Sequence, residues 1–299
     1  TISVIHTKHL IPALTLLLGL LLAFTASSCK RPTATQGRMA VSVSIEPLRY
    51  VVEAIGGDKV EAHTIMPQGA SPETYEPTPR QMMELSSSRL LFRAGTLGFE
   101  QTSLPRMASN APDVEMVDLA KGIRPIYDEN HSHATSHGES DSMDPHTWMS
   151  TDNLRIMASN ACHALCEADS TNAPYFRQRL NAFNNRMDSL DTQLSTWLKP
   201  IEHRAFLIYH PALGYFARQY GLHQLSVEHD GKEPSVARMN ALITACRNDG
   251  VRVVFVSKEH VGRAARRIAK ELNLKLVTIN PLSYDLEAQM ESIAKALKQ

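Results

Sequence analysis

Between Asn172 and Pro200 the chain reads NAPYFRQRLNAFNNRMDSLDTQLSTWLKP. Phe176, Leu180, Phe183, Met187, Leu190, Leu194 and Trp197 recur there in steps of four and three, which puts them on one face of an α-helix. Pro174 fits the first turn, where no amide hydrogen is needed, and Pro200 prevents continuation. At the usual rise per residue such a helix is about 36 Å long, the width of a small domain. A coiled-coil seam is the competing reading, but the pattern ends at a proline after about three heptads. Strand-like and helix-like segments alternate on both sides, so the stretch predicts a helix joining two folded halves.

The halves have the same organisation. In the first, strands are expected at 40–45, 59–66, 90–95 and 114–119, and helices begin after Glu46-Pro47, at Pro79 after the cap Thr78, and near 99–109. The loop PQGASPETYEPTP interrupts them, because its prolines and glycine support neither ladder nor helix. A helix over 152–169 then leads to the break at Asn172-Ala173-Pro174. In the second half, strands are expected at 205–209, 224–228, 251–256 and 274–279, with helices at 214–220, 235–248, 260–272 and 285–297. Strand–helix alternation of this kind predicts an α/β fold with parallel sheets covered by helices. The domain plan is an N-terminal lobe over 39–170, a rigid connecting helix over 171–200 and a C-terminal lobe over 201–299, with a cleft between the lobes.

The first residues read as a processing signal. Lys8 precedes LIPALTLLLGLLLAFTA, and the run ends in Ala26-Ser27-Ser28-Cys29, the small-residue approach and cysteine of a bacterial lipoprotein signal. Residues 1–28 are then removed, Cys29 carries the lipid anchor, 29–38 form a tether, and the protein works on the periplasmic side of a bacterial envelope. A retained membrane anchor is the alternative, although the run is only marginally long enough to span. Cys162, Cys166 and Cys246 remain; an odd count rules out a disulfide-built scaffold, and buried thiols or a bond from Cys246 to one of the others fit better than a metal pair assisted by His163. With 31 basic and 31 acidic residues the net charge is +0, so no basic surface for nucleic acid is present.

Ligand-binding groups of parallel sheets gather beyond the carboxyl ends of the strands. Glu73 lies in the loop after the second strand, His146 after the fourth, His210 directly after AFLIY, and Asn280 directly after LKLVTI, with Asp285 shortly beyond. Two imidazoles, a carboxylate and a further oxygen donor match a divalent metal site. A loop at 128–145 contains His131, His133 and His137 among Ser, Gly, Asp and Glu; it has too little apolar matter for a core and is an accessory metal-binding tract or a solvated loop.

The segments VSIEPLRYVVEAIGGDKV, MPQGASPETYEPTPRQM, DPHTWMS, FLIYHPALGYFARQYGL, EHDGKEPS and INPLS occur in this order. With them the chain resembles, from Val41 to Leu297, the TroA-like metal-binding solute receptors of bacterial zinc and manganese ABC importers. The resemblance implies two lobes bridged by one long helix and an ion clamped between them. It places the family's first ligand, usually histidine, at Glu73, the second at His146, the third at His210, and the fourth, commonly a carboxylate, at the neutral Asn280. The site then keeps one protein negative charge unless Asp285 or Glu233 approaches. The implied function is capture of Zn2+, with Mn2+ as the alternative, by a monomer that delivers the ion to the permease of an inner-membrane importer. An adhesin-like surface lipoprotein is a further alternative. A metallohydrolase using Glu233, Glu228 or Glu76 as base is another, but no hydrolase motif accompanies these residues.

Overall fold

The computed structural model describes residues 37–127, 143–228, 234–257 and 263–298. The leader through Ser28, Cys29, His131, His133, His137 and Glu233 lie outside the described residues.

In the N-terminal lobe β1 (Met39–Val43), α1 (Glu46–Gly56), β2 (Val60–Thr64), α2 (Pro79–Ser86), β3 (Leu90–Arg93), α3 (Gly98–Thr102), α4 (Leu104–Ser109) and β4 (Glu115–Asp118) follow one another. The strands pair in the order β2-β1-β3-β4, all parallel, with Val41 opposite Leu90 and Leu90 opposite Glu115. The helix expected over 99–109 is two helices meeting at Ser103, because Pro105 has no amide hydrogen for the carbonyl of Gln101. Thr78 caps α2 as read, exchanging hydrogen bonds with Gln81.

Helix α5 (Thr151–Ala168) and a short 3-10 turn (Ser170–Asn172) lead into α6 (Ala173–Leu198). The second lobe contains β5 (Ala205–Ile208), α7 (Gly214–Tyr220), β6 (His223–Ser226), α8 (Val236–Asn248), β7 (Val253–Ser257), α9 (Arg263–Leu272), β8 (Lys275–Ile279) and α10 (Leu286–Leu297). Its strand order, β6-β5-β7-β8, again all parallel, repeats that of the first lobe. The fold is therefore two parallel-sheet α/β lobes with one long helix, as the sequence predicts.

Helix α6 does more than link the lobes, because its apolar stripe belongs to one core that runs through both. Phe176, Phe183, Met187, Leu190, Leu194 and Leu198 are buried in a cluster that includes Val51 and Phe92 of the first lobe and Phe216 and Met290 of the second. Each such side chain contributes about 1.5–3 kcal/mol on burial. Trp197 is only half-buried, with Lys295 of α10 lying over its ring at 5.1 Å, and Leu198 closes the stripe instead. Polar contacts fix the helix to both sides. Arg179 donates to the carbonyl of Ala54 (2.8 Å), and Arg186 pairs with Glu287 (2.8 Å), which also accepts from the Tyr50 hydroxyl. Asp191 accepts from Tyr220 at 2.9 Å and from Gln219 at 2.8 Å.

Among the described residues the cysteines Cys162, Cys166 and Cys246 are free thiols. Cys162 and Cys166 share a face of α5 with sulfurs 3.9 Å apart, and Cys246 is buried in α8, so the reading as reduced, largely buried thiols holds and no bond to Cys246 forms. Burial pushes the Cys162 and Cys246 thiols up to about 11, the state of inert structural cysteines.

Candidate metal centre

The cleft opens where the carboxyl ends of the two sheets face each other. Its wall is formed by residues at or just beyond the carboxyl ends of β1, β2, β3, β5, β6, β7 and β8 and includes Glu46, Glu73, His146, His210, Glu228 and Asn280. The cavity has a volume of ≈ 170 Å³, room for a cation with part of its hydration shell.

His146 and His210, one from each side of α6 in sequence, stand with ring centroids 5.2 Å apart and planes at 77°. Each ring presents its Nδ1 to a carboxylate. His146 Nδ1 is 2.9 Å from Asp144 Oδ1, an oxygen that also accepts the His146 backbone amide at 2.9 Å. His210 Nδ1 is 3.3 Å from Glu228 Oε1. An ionised carboxylate can only accept, so in the neutral form of each ring the proton sits on Nδ1 and the Nε2 lone pair is left for a ligand. Burial acts to lower the His210 pKa, but the hydrogen bond to Glu228 and the charges of Glu228, Glu73 and Asp144 outweigh it, and the value is raised.

Local sequence explains why these groups are held. DPHTWMS turns tightly and then caps α5 through Ser150, so His146 is almost buried at 9 % exposure, with Trp148 packed 5.5 Å from its ring. Trp148 Nε1 donates to the carbonyl of Pro281 at 2.7 Å, tying the His146 loop to the Asn280 loop of the other lobe. Gly214 at the start of α7 is needed for close approach, since a Cβ there would stand 2.3 Å from Asp144 Oδ2.

Glu73 sits differently, exposed in the loop between β2 and α2. Asn280 is half-buried and its Oδ1 accepts the Leu282 amide at 3.1 Å. Asp285 does not line the cleft: it is exposed and caps α10 by accepting the Ala288 amide at 3.1 Å. Among the described residues no three His, Cys, Asp or Glu side chains already stand close enough to hold one ion. His146 and His210 stand together in the cleft, while Glu73 and Asn280 do not close on them.

The sequence profile of the family described as zinc-uptake complex component A, periplasmic (ZnuA) matches residues 41–299. The chain belongs to this family. It is similar to a crystal structure of ZnuA, with 30% identity and a TM-score of 0.80, covering 87% of this chain and 98% of that one. Among curated proteins it is 25% identical over 282 residues to the metal ABC transporter substrate-binding lipoprotein FimA of Streptococcus parasanguinis, covering 90% of this chain and 88% of FimA. It is also 23% identical over 310 residues to the manganese ABC transporter substrate-binding lipoprotein PsaA of Streptococcus mitis, covering 94% and 97%.

Within this ZnuA-family fold two carboxylates stand behind the histidines that strand ends alone do not single out. Asp144 is legible as the first residue of DPH, two positions from His146; Glu228 follows a weak edge strand, where sequence suggests only a candidate base. A third, Glu100, is fully buried and gathers the loop after β3: its oxygens accept the amides of Ala94 (2.9 Å), Gly95 (2.7 Å), Thr96 (3.1 Å) and Leu97 (3.3 Å). That loop and the start of α3 brace the segments that carry His146 and Glu73. Thr96 Oγ1 donates to the carbonyl of Pro145 at 3.2 Å and the Phe99 amide to that of Pro72 at 2.9 Å.

Proposed function

We propose that the protein is an extracytoplasmic receptor that captures a divalent transition metal between its lobes and delivers it to the permease of an ABC importer, with Zn2+ as the preferred cargo. The observation that supports this best is the His146–His210 pair, each ring set by a carboxylate at Nδ1. Two neutral imidazoles suit zinc, while the oxygen donors Glu73 and Asn280 favour Mn2+ as the alternative cargo. The lipid anchor at Cys29, the envelope location and a monomeric state belong to the same proposal.

In the proposed mechanism the imidazole Nε2 atoms replace water on the arriving ion, and Glu73 swings in from its exposed loop to neutralise part of the charge. The amide oxygen of Asn280, or water, completes the shell. The continuous core through α6 holds the two histidines at fixed spacing, so the movement is confined to loops. Release needs only the reverse motion of the Glu73 loop once the receptor has docked.

Zinc titration against a chromophoric chelator tests the proposal. Tight binding of one ion is expected, and Asp144→Asn or Glu228→Gln should each weaken it by roughly 10–100-fold, because the ring loses its fixed tautomer and direction. Unchanged affinity in both variants would remove the role of the paired carboxylates. The affinity should also depend on pH. The raised pKa of His210 means that protons compete with the ion from above the ordinary imidazole value downward, so binding weakens as pH falls through that value and reaches its plateau above it. For the metal-free protein the sign is opposite: the ion pair of protonated His210 with Glu228 stabilises the fold at low pH and is lost as pH rises through the folded value. Affinity measured from pH 5 to 8 and found flat would contradict imidazole ligation.

A further inference from the structure

One carboxylate of the cleft wall has no part in the ligand set proposed above. Glu46 is the first residue of α1, directly beyond the carboxyl end of β1 at the centre of the N-terminal sheet. It lines the cleft, yet its side chain is only 12% exposed, whereas Glu73 is exposed. We infer that Glu46 is a second carboxylate ligand of the bound dication, held in reserve by Arg49, which the ion displaces.

Three observations carry this inference, which rests on the reading that His146 and His210 hold the ion. First, the set of negative ligands is short. Asp144 and Glu228 keep their charge but are turned to the Nδ1 atoms of the histidine rings, and Asn280 is neutral, so Glu73 would be the one carboxylate in contact with the ion. A partly enclosed cation favours direct negative ligands, and Glu46 is the further wall carboxylate that can join Glu73. Second, the grip of Arg49 is uneven. Its Nη2 and Nε donate to Glu46 Oε2 at 2.6 and 3.1 Å, while Oε1 receives only Nε at 3.3 Å. Oε1 therefore keeps lone pairs for a metal.

Third, Arg49 has somewhere to go. Its Nη1 already donates to Glu53 Oε1 at 3.2 Å, and the guanidinium lies 4.4 Å from the ring centre of Tyr284, whose hydroxyl donates to Glu53 at 2.8 Å. Leaving Glu46 does not strand a cation, because Glu53 and the Tyr284 face continue to hold it. Tyr284 belongs to the other lobe, in the loop between β8 and α10, so the exchange of partners takes place at the seam between the lobes. An ordinary helix-surface pair would do none of this; its side chains would face solvent and contribute little.

The two partners are expected to act with opposite sign on metal affinity. In the full chain, zinc titrated against a chromophoric chelator should bind roughly 10–100-fold more weakly to Glu46→Gln, which keeps the shape and loses the charge. It should bind several-fold more tightly to Arg49→Gln, which removes the competitor. The double variant should match Glu46→Gln, because Arg49 acts only through Glu46. Unchanged affinity in Glu46→Gln, or weakening in both single variants, would overturn the inference, the second pattern being that of a structural brace. Circular dichroism melts of the metal-free variants confirm that each is folded. His146→Ala serves as the control: if it binds zinc as tightly as the native chain, the metal-cleft reading itself fails, whereas loss in His146→Ala with no change in Glu46→Gln rejects Glu46 alone.

Discussion

His210→Ala is expected to lower zinc affinity by more than the roughly 10–100-fold that loss of an outer-shell partner costs, and with His146→Ala added, tight binding should disappear. The reason is geometric. The two imidazoles of the proposed set are held by opposite lobes with ring centroids 5.2 Å apart, and every oxygen donor in that set has to move or exchange partners to join them. Removing one imidazole leaves a single fixed anchor, and the remaining donors then lose their common point of convergence. The fold should be almost unaffected, since His210 is half-exposed beyond β5 and packs into no core. Metal-free melting temperatures close to that of the native chain, with binding lost in the same samples, would separate ligand loss from unfolding. Equal losses of stability and affinity would point to a structural role instead.

The largest effect on stability is expected along α6. Phe183 is 1% exposed and meets Tyr50 of α1 at 5.9 Å between ring centroids, in the core shared by both lobes. Phe183→Ala should cost about 3–5 kcal/mol, the transfer term plus the cavity left where neither α1 nor α6 can collapse. Gln178→Ala on the exposed side of the same helix should change stability by about 0.5 kcal/mol or less. Urea denaturation of both variants measures the difference. Phe183→Ala should also weaken zinc binding in the folded population, because the helix proposed to set the spacing of His146 and His210 loses its seat against the first lobe. A full-sized loss of stability with native affinity would show that the cleft does not depend on this packing.

Much of the fold was legible because its determinants are local. Pro174 and Pro200 bracket α6 within two residues of its observed ends, and the alternation of short apolar runs with amphipathic segments located all eight strands of the described residues. The cleft positions of His146 and His210 were legible from their place beyond strand ends, a rule that follows from parallel-sheet topology. The carboxylates were less so. Asp285 lies close to Asn280 in sequence, yet its side chain is engaged as the cap of α10, and a helix start competes effectively for a carboxylate. Glu46 and Arg49, three residues apart at the start of a helix, look in sequence like an ordinary surface pair. Only the tertiary structure puts one in the cleft wall and the other against Tyr284 of the opposite lobe.

In the proposed function the ion sits on imidazole and oxygen donors between the lobes, away from the thiols of α5. X-ray absorption at the zinc edge of the loaded protein tests this most directly. Two imidazoles with oxygen neighbours at about 2.0–2.2 Å and no sulfur are expected; a sulfur shell near about 2.3 Å, or a spectrum without imidazole scattering, would contradict the proposed site.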